Sequence, residues 1–155
     1  REANMMARQA GMQAVNLAEK NIRALDILTK DAFHNAAVVH AAISGSTNAM
    51  LHMPLMAKEA GIEFTEADFD RIGRSIPYLA DIRPAGKFSA EYFWYAGGVP
   101  ALMRELKDFL KLDALTCTGM TVGENLQNVD LQRPSFPGDD TGIPGAPGLP
   151  GARRR

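Results

Sequence analysis

Residues 30–43 constrain the architecture more than any other stretch, because they are built mainly from Ala, Val, Ile and Phe with neither Gly nor Pro among them. Thr29 stands where a helix N-cap belongs, so the spacing predicts a helix over Lys30 to Ile43 that is apolar around most of its circumference. Such a helix has almost no face to offer to water. It must lie inside a larger body with other elements packed around it.

The elements that could surround it are legible from their stop and start signals. Glu2 to about Arg23 reads as one helix with apolar residues at Met5, Ala7, Met12, Val15, Leu17, Ala18 and Ile22, weakened at Gly11, and Ala24 to Leu28 reads as a short apolar link. A helix of about Thr47 to Ala60 places Ala49, Met53, Met56, Ala57 and Ala60 on one stripe, its methionines serving as core filler. Pro54 falls inside it, removes the bond to the Met50 carbonyl and predicts a kink. Gly61 ends that helix, and Thr65 with Asp68 has the spacing of a capping box for a helix of about Glu66 to Ser75. Glu63, Glu66, Asp68 and Asp70 then read as a solvated face whose charges suit a helix N-terminus.

Tyr78 to Ile82 is the one strand-like run, followed by a turn at Pro84 and Gly86. Ser89 opens a short aromatic helix with Tyr92, Phe93, Trp94 and Tyr95, which suits a core or an interface. Pro100 sits at a first-turn position of a helix ending near Leu110, with Ala101, Leu102, Leu106, Phe109 and Leu110 as its apolar side. Leu112 to Thr116 reads as extended, and Thr121 begins one more helical turn. The stretch is therefore mainly α.

Charge and cysteine usage exclude several functions. The chain of 155 residues has a net charge of −1 and a pI near 6.3, and its one basic cluster is Arg153-Arg154-Arg155, so no nucleic-acid partner is expected. No apolar run is long enough to span a membrane and the first residues lack a signal-peptide pattern, which points to the cytoplasm and to no membrane partner. A single cysteine, Cys117, excludes an intrachain disulfide and cannot alone hold an iron–sulfur cluster.

The stretch with chemical character is residues 44–52, where Ser44, Gly45, Ser46, Thr47 and Asn48 form a small polar turn running into a helix. Gly45 permits a close backbone approach, Ser46 or Thr47 can cap, and free N–H groups of the first turn favour an anion such as a carboxylate. Ser46, Thr47 and Asn48 are the candidate substrate-binding residues. His52, one turn further on, can bring its imidazole toward the same ligand. His34 and His40 lack a metal-ligating neighbour at i+4 and read as satisfied histidines.

Taken with Ala32-Phe33-His34-Asn35-Ala36, Asp68-Phe69-Asp70-Arg71-Ile72, Pro84-Ala85-Gly86-Lys87, Ala96-Gly97-Gly98-Val99-Pro100 and Leu115-Thr116-Cys117-Thr118-Gly119, that turn resembles the dihydroxyacid and sugar-acid dehydratase family from about Arg8 to Leu126. The resemblance implies that residues 1–128 are the C-terminal part of an N-terminal, three-layer α/β dehydratase domain in a longer two-domain enzyme, an expectation that the absence of an initial Met matches. It also implies a hydro-lyase that converts a 2,3-dihydroxy acid to a 2-keto acid with an iron–sulfur cluster, commonly [2Fe–2S], and Mg²⁺, working as a homodimer or tetramer. In the family the cluster cysteines and the Mg²⁺ ligands lie upstream of Arg1 and the proposed base serine lies downstream. No catalytic residue and no metal ligand is therefore expected here, and the isolated fragment is expected to be inactive and to bind no cofactor.

Two departures from the family pattern stand out: Ser44 replaces a usual glycine, and Met120 replaces the lysine of a Thr-Gly-Lys-Thr pattern. Pro84 to Lys87 with Glu91 to Gly98 looks closest to the arabonate and xylonate branch, which makes a sugar acid the expected substrate. The alternatives are the dihydroxyacid dehydratase of branched-chain amino-acid synthesis, 6-phosphogluconate dehydratase, and a catalytically inert helical module that kept the scaffold.

Residues 129–155 change character, with Gly142, Gly145, Gly148 and Gly151 in strict threes. Too few triplets are present for a collagen helix and no core can be built from them, so an unstructured tail is expected. Read one base later, codons for Gly145 to Ala152 can encode VLRGSLAP, which matches the family's VLRGNLAP at all but one position and makes the tail an expected out-of-frame reading.

Overall fold

The computed structural model describes residues 2–127, and the expected tail lies outside the described residues. The chain forms helices α1 (Glu2–Glu19), α2 (Ala24–Ile27), α3 (Lys30–Ala42), α4 (Asn48–Glu59), α5 (Glu66–Gly73), α6 (Ala90–Tyr95), α7 (Gly98–Glu105) and α8 (Val122–Gln127), with a 3₁₀ turn at Lys107–Phe109. The mainly helical expectation holds.

The apolar helix is central, as its composition requires. Thr29 Oγ1 accepts the Ala32 amide at 3.2 Å to start α3. Phe33, Ala37, Val38 and Ala42 of that helix are buried against Ala57 of α4, Phe69 and Ile72 of α5, Leu102 of α7, and Leu106, Leu110, Ala114 and Val122 beyond it. Phe64 bridges Phe33 and Phe69 with ring centroids 5.6 and 5.4 Å apart, a spacing that suits tilted and edge-on aromatic contacts.

One polar side chain lies within this core. Asn35 is buried, and its amide nitrogen donates to the Lys111 carbonyl at 2.9 Å while its oxygen accepts the Lys111 amide at 2.7 Å. Both capacities of the Asn35 amide that face the backbone are thereby used, and the segment after the 3₁₀ turn is tied to α3.

Three helices end in the same way. Asn21 (φ 54°), Ser44 (φ 49°) and Gly61 (φ 71°) each adopt the left-handed conformation after α1, α3 and α4. At each, the next amide reaches five residues back: Ile22 to Leu17 O at 2.9 Å, Gly45 to His40 O at 2.9 Å and Ile62 to Ala57 O at 2.8 Å. These are Schellman endings, which satisfy carbonyls that the helix leaves unpaired. The Thr65 capping box is present, with Asp68 Oδ2 accepting the Thr65 amide at 2.9 Å and the Thr65 hydroxyl at 3.2 Å.

Several expectations need correction. α1 is continuous through Gly11 and stops at Glu19 rather than near Arg23. The link after it contains a helical turn, because Asp26 accepts both the Arg23 amide at 2.8 Å and the Arg23 guanidinium at 2.8 Å. Met56 is half exposed and lies off the buried side of α4, which is carried by Ala57 with Ala49, Met50 and Met53. α7 ends at Glu105, and the 3₁₀ turn continues its apolar side to Leu110.

Tyr78 to Ile82 is not a strand. The Leu79 and Ala80 amides both donate to Ala42 O, at 3.0 and 3.1 Å, so this segment completes the end of α3 instead of pairing along a sheet edge. Among the described residues the β-type pairs are two isolated bridges, Ile82 with Phe88 and Leu115 with Thr121.

Candidate functional site

The turn between α3 and α4 is built by the residues singled out for it, in a different division of labour. Ser44 takes the left-handed position and Gly45 follows, where an added Cβ would overlap the His40 imidazole, so Gly45 is required by close approach. Thr47 is already helical (φ −58°, ψ −20°) and its side chain makes no capping bond. Ser46 supplies the local acceptors, its hydroxyl taking the Asn48 amide at 3.3 Å and its carbonyl the Ala49 amide at 3.0 Å.

The expected row of free amides is accordingly smaller than the sequence implies. The Asn48, Ala49 and Met50 amides have acceptors within the turn, the last in Thr47 O at 3.0 Å. What the turn presents outward is side chain: Ser46, Thr47, Asn48 and His52 are all exposed. Asn48 and His52 stand four residues apart on α4, which puts them on one helical face. Ser46 and Thr47 precede that face in the turn, so the stretch carries two hydroxyls, an amide and an imidazole on exposed residues.

A concavity of about 710 Å³ lies further along α4, among Leu51, Pro54, Leu55, Lys58, Ile62 and Phe64, and none of the four lines it.

The other histidines are satisfied, as expected. His34 Nε2 meets Phe109 O at 3.0 Å, and His40 Nε2 meets Ser46 O at 2.8 Å. Sequence reasoning assigned nothing to the His40 contact with the turn or to Asn35. The available signal for Asn35 was a polar residue in an otherwise apolar helix.

A second polar knot closes the segment before α8. Thr116 Oγ1 accepts from Asn125 Nδ2 at 2.8 Å and donates to Met120 O at 2.8 Å, while Thr118 Oγ1 donates to Asn125 Oδ1 at 3.0 Å. Gln13 Nε2 of α1 donates to Cys117 O at 3.0 Å, and Leu17 and Ile22 lie near Gly119. The Cys117 side chain is exposed. Among the described residues no group of three His, Cys, Asp or Glu side chains could hold a metal ion. With one cysteine, this part of the chain does not fit the ligand set of an iron–sulfur cluster.

Comparison with known proteins gives this scaffold a place. The family described as dihydroxy-acid/6-phosphogluconate dehydratase N-terminal matches residues 1–125. Similar proteins include the dihydroxy-acid dehydratases of Pelagibacter ubique, 46% identical over 130 residues, and of Halothermothrix orenii, 44% identical over 126 residues. Those alignments cover 83% and 80% of this chain and 23% of each relative, so the chain spans about a quarter of the length of the proteins it matches. A match along residues 1–125 of 155 means that the chain belongs to the dihydroxy-acid/6-phosphogluconate dehydratase N-terminal family.

Proposed function

We propose that this chain is part of a hydro-lyase that removes water from a 2,3-dihydroxy acid to give a 2-keto acid, and that it contributes scaffold and a substrate-facing turn to that enzyme. The observation that carries the reading is the 46% identity to a dihydroxy-acid dehydratase over 130 residues, which include the Ser46-Thr47-Asn48 turn and the helices that hold it. Loss of the 3-hydroxyl needs an acid at that oxygen and a base at the C2 proton beside the carboxylate. An iron–sulfur cluster and Mg²⁺ in the longer enzyme would supply the Lewis acid, with ligands outside this chain. The role assigned here is recognition: Ser46, Thr47, Asn48 and His52 offer donors and acceptors to the acid's carboxylate and hydroxyls.

For the substrate, the names of the relatives favour a dihydroxy acid of the branched-chain type over a sugar acid. The sugar-acid reading rests on one feature, the likeness of residues 84–87 and 91–98 to the arabonate and xylonate branch. In the fold those residues form the loop in which Gly86 N donates to Ile82 O at 2.7 Å, and α6, whose Tyr92 and Trp94 are exposed. Relative kcat/KM of the full-length enzyme on a branched-chain dihydroxy acid and on arabonate and xylonate decides between them.

Thr47→Ala tests the role of the turn. Because Thr47 makes no capping bond, its loss should leave the melting temperature near wild type while lowering kcat/KM. Thr65→Ala, at a capping box with no assigned ligand, should cost about 1 kcal/mol of stability and spare kinetics. Unchanged kinetics in Thr47→Ala would remove the turn from the substrate face.

A further inference from the structure

We propose that His40 is a positioning residue that holds the Ser46-Thr47-Asn48 turn in its working conformation, an inference that rests on the reading of that turn as substrate-facing. His40 grips the turn at two points. Its backbone carbonyl accepts the Gly45 amide at 2.9 Å, and its Nε2 lies 2.8 Å from Ser46 O. A carbonyl oxygen only accepts, so Nε2 carries the proton and donates.

The ring is held by two neighbours. One side meets Phe69 of α5 edge to face, with centroids 5.4 Å apart at 81°, and Phe69 is itself a buried core residue. The ring also lies against Gly45, so closely that a Cβ there would overlap it. The imidazole is therefore a wedge between α5 and the turn, and the core sets its orientation.

The atom it holds is the one on which α4 starts. Ser46 O accepts from His40 Nε2 and also from the Ala49 amide at 3.0 Å, and the Ser46 hydroxyl takes the Asn48 amide. Displacing Ser46 O would move the candidate side chains of Ser46, Thr47 and Asn48 together. An external hold is needed because Ser44, with φ 49°, opposes the turn where glycine would not.

Two variants separate positioning from bulk packing. His40→Leu fills the space without a donor, and His40→Gln places an amide donor at about the reach of Nε2. In the ¹⁵N-labelled 155-residue chain, His40 should show the Nε2-protonated tautomer. His40→Leu should shift the Gly45 to Asn48 amide resonances, and His40→Gln should return them toward wild type. In the full-length enzyme acting on a 2,3-dihydroxy acid, His40→Leu should lower kcat by roughly tenfold or more with less change in KM, and His40→Gln should recover most of it. Leu and Gln variants with equal kcat, or turn resonances unmoved in His40→Leu, overturn the proposal. A wild-type enzyme that turns over no dihydroxy acid overturns the functional reading instead, and the resonances then decide by themselves whether His40 holds the turn.

Discussion

At the scale of single residues, two positions show how a local conformation or an unpaired group converts into stability. Ser44 occupies a left-handed position with φ 49° at the end of α3, where glycine would be unstrained. A Cβ in that region costs about 1 kcal/mol or somewhat more, so Ser44→Gly should raise the stability of the chain by about 1 kcal/mol in a denaturant titration. Asn35 is the reverse case. Removing its amide leaves the Lys111 N–H without its acceptor and the Lys111 C=O with the Ala114 amide as its remaining donor, and Asn35→Ala should destabilise by roughly 2–3 kcal/mol. His34→Ala, whose partner is the single Phe109 carbonyl, should cost about 1 kcal/mol or less. Equal losses in the two variants would mean that the Asn35 clasp is not special. Ser44 was visible in the sequence as a departure, but its cost was not, because that cost depends on a backbone angle. Asn35 was visible only as a polar letter in an apolar run, since its partner lies 76 residues away.

At the scale of elements, caps were legible and pairings were not. Thr29 and the Thr65 box are local signals whose donors and acceptors lie within four residues, and the fold uses both. Tyr78 to Ile82 has a strand's composition, but a strand needs a partner edge, and here Ala42 O receives its amides. The cap at Thr65 also predicts an acid response. The Arg71 guanidinium first, and then the Thr65 amide, hold the Asp68 carboxyl below its ordinary pKa. A carboxylate depressed in the folded state contributes stability that is complete above its unfolded value near 4 and is lost as pH falls through the folded value. The melting temperature should therefore decline below about pH 4, and Asp68→Asn should flatten that part of the profile. The Asp26 carboxyl, lowered to about 2 by Arg23, responds in the same sense at an exposed site. An Asp68→Asn profile superimposable on wild type between pH 5 and about 2 would contradict the assignment.

At the scale of the whole molecule, the apolar helix of residues 30–43 has found its surroundings, yet much apolar surface lies outside that core. Met5, Met6, Met12 and Val15 of α1, Leu51 and Leu55 of α4, and Trp94 of α6 are each more than half exposed, while the chain spans about a quarter of its relatives' length. The sequence announced Met5, Met12 and Val15 as apolar positions of a helix and Trp94 as part of an aromatic one, but could not say which of them the described part would cover. Cofactor chemistry follows the same division. The full sequence has one cysteine, residues 128–155 add no cysteine or histidine, and the described residues offer no three-ligand group. A cluster needs several thiolates held together, and one exposed Cys117 cannot supply them even if two chains meet, since two thiolates fall short of the usual four. Anaerobic incubation of the 155-residue chain with iron and sulfide should therefore give no stoichiometric cluster absorption and no turnover of arabonate, xylonate or a branched-chain dihydroxy acid. The full-length enzyme treated identically should give both. A cluster spectrum in proportion to the 155-residue chain would show that ligands can be assembled from this chain alone, and would sink the assignment of the metal centre to the rest of the enzyme.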